Sequence, residues 1–201
     1  MEEKERERFL KQLSFAEELD KEKNILRQTH LTCGGRRQEN DAEHAWHLAV
    51  MTYLFAEYAN EPFDVARTML MVLLHDVVEI DAGDSYAYDE KAQSTAKERE
   101  TRAAERLYGL LPEDQGTFLK ALWEEFEEGQ TPEARFAHVM DNFQPMMLNH
   151  KNGGADWKEH GVQRSQVEKR NEHTKDGSET IWEFMKQILD AHTQDGSLGC
   201  G

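Results

Sequence analysis

Cysteine is nearly absent from the 201 residues, with only Cys33 and Cys200 present. That excludes a disulfide framework as the source of the fold and points to a reducing, cytoplasmic compartment. No run of about 18 apolar residues occurs, so no membrane span is expected. The charged stretch from Met1 to Arg8 also lacks an apolar core of signal-peptide length. Positive charge is short as well. Against 40 acidic side chains stand 24 basic ones, a formal net charge of -16, and such a field repels extended DNA or RNA. A small anion can still bind where a metal or a local arginine cluster reverses that field. Neither an internal repeat nor a sustained apolar alternation of period two is present, which leaves an all-α architecture, and the length suits one core.

What is present is organised around Pro62 to Asp84. From Val65 to Val78 the residues Val65, Ala66, Met69, Leu70, Met71, Val72, Leu73, Leu74, Val77 and Val78 leave almost no polar face. This pattern predicts a helix buried all round, starting near Pro62 and ending near Val78 to Ile80 before the turn Asp81-Ala82-Gly83-Asp84. Around it the chain reads as helices. Phe9, Leu13, Ala16 and Leu19 mark an amphipathic one, and a short one runs from Glu22 to Gln28. Asn40 with Glu43 is a capping-box pattern that opens a helix reaching about Ala59. Further helices are expected over Lys91 to Leu111, from Pro112 through Phe126, and from Thr131 through Leu148 with a bend at Pro145. Val162 to Glu172 and Glu179 to Ala191 complete the set, with 151–156 a loop, and the domain is expected over 1–194 with 195–201 a disordered tail.

Inside the apolar helix sits the pair His75-Asp76. Taking an imidazole and a carboxylate out of water costs several kcal/mol unless each has a partner. His44 in the first turn of the Asn40 helix and Asp141 in the apolar stripe Phe136 to Leu148 come from two other helices and can complete a shared shell. Two imidazoles and two carboxylates suit one borderline divalent ion (Mn, Co, Fe, Ni or Zn) with room for waters. Open positions on such an ion supply a nucleophilic water and polarise a phosphoryl oxygen. For His138 and His150 an ordinary hydrogen-bonded core role is the commoner reading. His47 reads as a core residue or as a partner behind a ligand.

The order Glu43-His44, His75-Asp76-Val77-Val78-Glu79-Ile80, Gly83-Asp84 and Asp141 resembles the HD-domain metal-dependent phosphohydrolases, in their 5'-deoxynucleotidase-like branch. The resemblance covers roughly Asn24 to Leu148. It implies a single helical HD domain whose metal ligands are His44, His75, Asp76 and Asp141. It further implies that Glu79 takes part in catalysis, that Asp84 contacts the sugar end of the substrate, and that Arg27, with Arg37 second, holds phosphate. Spacing is consistent with the first of these, since Glu79 falls one helical turn after His75. Two-metal HD proteins add histidines between the HD pair and the last aspartate; none occurs from Val77 to Ala137, so one ion is expected. The implied activity is release of phosphate from a small phosphorylated substrate, a nucleoside 5'-monophosphate. A metal-containing module that senses a nucleotide without turning it over is the alternative. Members of that branch are commonly homodimers, and Ile181, Trp182 and Phe184 are candidates for the interface. Gln28 stands where bacterial nucleotidases carry a deoxyribose-selecting tryptophan.

Overall fold

The computed structural model of the chain describes residues 1–33, 35–83 and 90–199, with side chains for all of these except 90–96. Asp84, Tyr86 and Tyr88 therefore lie outside the described residues, as does Cys200.

Helix α1 (Glu3–Leu19) leads through a 3-10 turn (Asp20–Asn24) into strand β1 (Leu26–His30), which pairs antiparallel with β2 (Gln38–Asn40). This hairpin replaces the helix expected from Glu22 to Gln28. The stripe expected on α1 is also displaced: Phe9 and Leu13 are exposed, and Phe15 is the buried anchor, its ring 6.1 Å from Tyr108. Helix α2 (Asp41–Phe55) opens on the expected capping box. The Asn40 side chain accepts the Glu43 N–H at 2.9 Å, and the Glu43 carboxylate accepts the Asn40 N–H at 3.3 Å. Two backbone donors at the helix start, those of Asn40 and Glu43, are thereby satisfied, and His44 is held one residue further on.

Helix α3 (Val65–Leu74) begins after Pro62 rather than at it, with Asp64 capping the Arg67 N–H. It is not buried on every side, since Ala66 and Leu73 face solvent. Nor does it run on to Val78. From Leu74 the backbone tightens into bonds between Val77 N–H and Leu74 O, and between Glu79 N–H and Asp76 O, before the single turn α4 (Glu79–Ala82). In such i to i+3 turns the side chains at i and i+3 eclipse one another. Asp76 and Glu79 therefore share a side.

Then follow α5 (Glu90–Tyr108), α6 (Glu113–Glu128), α7 (Pro132–Lys151), α8 (Ala155–His160), α9 (Arg164–Asn171), α10 (Thr174–Gly177) and α11 (Glu179–Gln194). Helix α7 is the spine, packing against α2, α3, α6, α10 and α11. Pro145 lies inside it and lacks the N–H that would bond the Asp141 carbonyl one turn back, so the weakened rung falls at Asp141. The core gathers Leu48, Met71, Val72, Met140 and Leu189, all at most 1% exposed. Ile181 belongs to this core and not to a surface; Phe184 is exposed.

The tail expected to be disordered packs through residue 199. Leu198 is 1% exposed. The Gly199 N–H donates to Val162 O at 3.1 Å, and the Arg164 N–H donates to Gly199 O at 2.9 Å. One buried leucine is enough to anchor so short a segment. Among the described residues no helix is long and apolar enough to cross a membrane.

Candidate metal centre

Three helices bring His44, His75 and Asp141 together: one ligand atom from each lies within 4.8 Å of the others, and no other cluster of this kind occurs among the described residues. His44 Nε2 is 3.0 Å from Asp141 Oδ1, and His75 Nε2 is 3.7 Å from the same oxygen. Asp76 adjoins them, with its Oδ2 3.0 Å from His75 Nε2. Its other neighbour is Arg27, reached from β1, whose guanidinium donates to Asp76 Oδ2 at 2.6 Å and to Asp41 Oδ1 at 3.4 Å. The same guanidinium lies 4.0 Å from Asp141 Oδ1, and the charge of Glu79 acts on it as well.

The donor set can be tested for a divalent ion from its own hydrogen bonds. His75 Nδ1 is 2.9 Å from the Val72 carbonyl oxygen, which can only accept, so Nδ1 carries the proton. In the neutral ring Nε2 is then a buried lone pair, with no hydrogen-bond partner, directed toward carboxylate oxygens. His44 repeats the pattern. Its Nδ1 is 3.1 Å from Gln144 Oε1, which leaves Nε2 pointing at Asp141. Lone pairs and carboxylates converging on one point repel each other unless positive charge lies between them. A divalent ion fits that requirement, and so does its chemistry, with two nitrogens and two carboxylates.

Without an ion, protons on the Nε2 atoms supply that positive charge instead. Burial disfavours the charged form of His75, yet the Asp76 carboxylate, and then Asp141, outweigh it and hold the ring well above the usual imidazole range. Burial would raise Asp141, but the hydrogen bond from His44 and the positive charge of the two rings keep it well below the usual carboxylate range. Asp76 is likewise depressed: burial is overcome by the charges of His75 and Arg27.

One neighbour moves the other way. Glu22, from the 3-10 turn and 7% exposed, is pushed up to about 7, first by burial and then by the charges of Asp76 and Asp41. A carboxyl raised in the folded state contributes stability below its unfolded value of about 4.3 and loses it as pH rises through about 7. Glu22→Gln removes that loss. Chemical denaturation of the metal-free variant should show a gain of about 1–3 kcal/mol at pH 8 and little gain near pH 4. An equal gain at both pH values contradicts this reading.

The remaining residues singled out from the sequence divide clearly. Arg37 is not brought to the cluster; it forks onto the Glu43 carboxylate at 2.5 and 2.8 Å on the outer side of the hairpin. Arg36 pairs with Asp156 and Glu159. In so acidic a chain, exposed arginines find carboxylates. His138 is the core histidine expected, with Nε2 2.8 Å from Phe126 O and its ring stacked on Phe126. His150 contacts His192 at 2.9 Å. His47 stands behind the cluster, with Nδ1 3.2 Å from Gln144 Nε2. Sequence reasoning missed Asp41, Glu39 and Gln144, all at most 1% exposed. The available signal for Gln144 was its spacing, three residues after Asp141 on the same helix face.

A helical bundle that draws a histidine from one helix, a His-Asp pair from the end of another and an aspartate from a third has the defining site of an HD domain. The chain belongs to the HD domain family, whose model matches residues 19–182. It is similar to the crystal structure of a predicted metal-dependent phosphohydrolase from Magnetospirillum magnetotacticum MS-1, with 45% identity, 96% of each chain covered and a TM-score of 0.90. It is also similar to the 5'-deoxynucleotidase HDDC2 of Homo sapiens, 29% identical over 125 residues, which is 59% of this chain and 60% of that protein. The Bos taurus protein of the same name is 31% identical over 106 residues, covering 53% of this chain and 50% of its own length. The chain thus spans about half to three fifths of the length of these curated relatives.

Proposed function

We propose that the chain is a metal-dependent phosphohydrolase that releases phosphate from nucleoside 5'-monophosphates, using one divalent ion (Mn, Co, Fe, Ni or Zn) held by His44, His75, Asp76 and Asp141. The observation that carries this reading is the convergence of His44 Nε2, His75 Nε2 and an Asp141 oxygen from three helices within 4.8 Å. Names of similar proteins support the substrate class. When bound, such an ion acidifies water and withdraws charge from a phosphoryl oxygen.

The chain's own residues do the rest. Arg27 presents a guanidinium fork at the cluster, a geometry suited to a phosphate dianion. Its permanent charge is secure, because burial, which would lower its pKa, is outweighed by Asp76, Asp141, Glu79 and Asp41. Glu79, on the side of Asp76, is assigned to take the proton of the attacking water and return one to the leaving sugar oxygen. Asp84, outside the described residues, is assigned the sugar contact. Cytoplasmic location and a homodimer belong to the same proposal. For the homodimer, support comes from Trp46, Tyr53 and Leu54, exposed at 65%, 69% and 58% along α2.

A phosphate-release screen of ribo- and deoxyribonucleoside monophosphates across Mn, Co, Ni, Zn and Mg tests the reading. Wild-type protein should turn over, and Glu79→Ala should keep its metal while losing about 10²- to 10⁴-fold in rate. Thermal stabilisation by nucleotide with no phosphate release from any pair would make the chain a sensing module. Full turnover by Glu79→Ala would remove that residue from the mechanism.

A further inference from the structure

We infer that Glu39 and Gln144 form a positioning unit that fixes the ring of His44 for metal binding. The inference rests on the metal reading above. Both ring nitrogens of His44 are held from α7, with Asp141 Oδ1 at 3.0 Å from Nε2 and Gln144 Oε1 at 3.1 Å from Nδ1. Residues three apart on a helix face the same way, so α7 grips the imidazole at its two opposite edges.

The orientation of the Gln144 amide follows from counting its hydrogens. Nε2 has two. One is directed to Glu39 Oε1 at 2.6 Å and the other to His47 Nδ1 at 3.2 Å. Turning the amide over would set its oxygen against the Glu39 carboxylate and leave His44 Nδ1 facing a second donor. Gln144 Oε1 is therefore the acceptor, His44 Nδ1 is the donor, and in the neutral ring the lone pair of Nε2 is directed at the site. His47 completes the count as an acceptor, which requires its neutral form.

Glu39 supplies the charge behind this arrangement. It is 1% exposed, and its Oε2 has no hydrogen-bond partner but lies 3.5 Å from His44 Nδ1. A buried carboxylate with one oxygen unsatisfied is costly on its own. A cation on the far nitrogen of the ring makes Nδ1–H more acidic, so the Gln144 and Glu39 oxygens are held more strongly in the loaded protein than in the empty one. The carboxylate then raises the basicity of the ligand, as partners behind metal-bound histidines do. A residue that merely tied β2 to α7 would act equally in both states.

The test uses full-length protein and the isosteric variant Glu39→Gln, which keeps an acceptor for Gln144 and removes the charge. Mn²⁺ affinity by chelator competition should fall about ten- to hundredfold. The thermal midpoint of the metal-free variant should stay level or rise, because a buried charge has gone. The exchange E39Q/Q144E puts a carboxylate directly on His44 Nδ1 and should recover Mn²⁺ affinity to within a few-fold of wild type, with the Co²⁺ absorption spectrum returning in parallel. Unchanged affinity in E39Q overturns the inference, as does an affinity loss accompanied by an equal loss of metal-free stability. Wild-type protein that binds neither ion would overturn the metal reading, and this inference with it; wild-type binding with an indifferent E39Q overturns the inference alone.

Discussion

Asp141→Ala should bind no stoichiometric divalent ion and should release phosphate at least about a thousandfold more slowly than wild type, the order set by losing several kcal/mol of charge stabilisation. Asp141 joins three members of the site: one of its oxygens lies 3.0 Å from His44, 3.7 Å from His75 and 4.0 Å from Arg27. Removing it leaves two buried rings without their shared acceptor. The acid limb of stability should change too. Asp141 is depressed in the folded protein, so in the metal-free wild type it contributes stability that is present above the unfolded value of about 3.9 and is lost as pH falls below it. In the variant that part of the acid loss disappears. Metal analysis, phosphate release and a pH series of denaturation curves check the three parts. Wild-type metal content in Asp141→Ala would contradict the assignment.

Arg27→Ala should have the larger effect on the metal-free fold. Its guanidinium, 13% exposed, lies among Asp76, Asp41 and Asp141, and deleting it strands buried negative charge. Breaking a buried pair in this way costs about 3–5 kcal/mol, a large part of the roughly 5–15 kcal/mol by which a typical domain is stable. The midpoint of thermal unfolding should drop by about 10 °C for a chain of this size. Adding Mn²⁺ should restore part of the loss, because an ion at the cluster neutralises Asp76 and Asp141. It should not restore all of it, because an ion at the cluster does not replace the bond from Arg27 to Asp41. Equal stability of the variant and wild type without metal would show that these carboxylates find another partner.

The centre of the molecule could be read before its periphery, for a physical reason. A His-Asp dipeptide in an apolar run, a lone aspartate in another and a capping box at Asn40 are each statements about burial, and burial leaves a mark in sequence. The hairpin leaves none. Strand β1 reads Leu-Arg-Gln-Thr-His and β2 is three residues long. Their inward side chains, Arg27 and Glu39, face a polar cluster and not an apolar core, so no alternation of period two results. Glu39, one residue before the cap Asn40, carries no mark of burial in the sequence and yet is almost fully buried. Arg37 looked like a phosphate ligand and is held by the acid six residues on, since pairing with a local carboxylate needs no site at all. The helix through His75 appeared continuous because tightening from i+4 to i+3 bonds changes the backbone without changing residue type. Leu198 shows the converse: a single core contact, invisible in a polar Gly-containing tail, orders the segment through residue 199.

The proposed binding of one cation by His44, His75, Asp76 and Asp141 is tested most directly by anomalous diffraction from crystals soaked in Zn²⁺. One strong peak is expected about 2.0–2.2 Å from His44 Nε2, His75 Nε2 and carboxylate oxygens of Asp76 and Asp141. A peak located elsewhere, or coordination that leaves out Asp141, would contradict it.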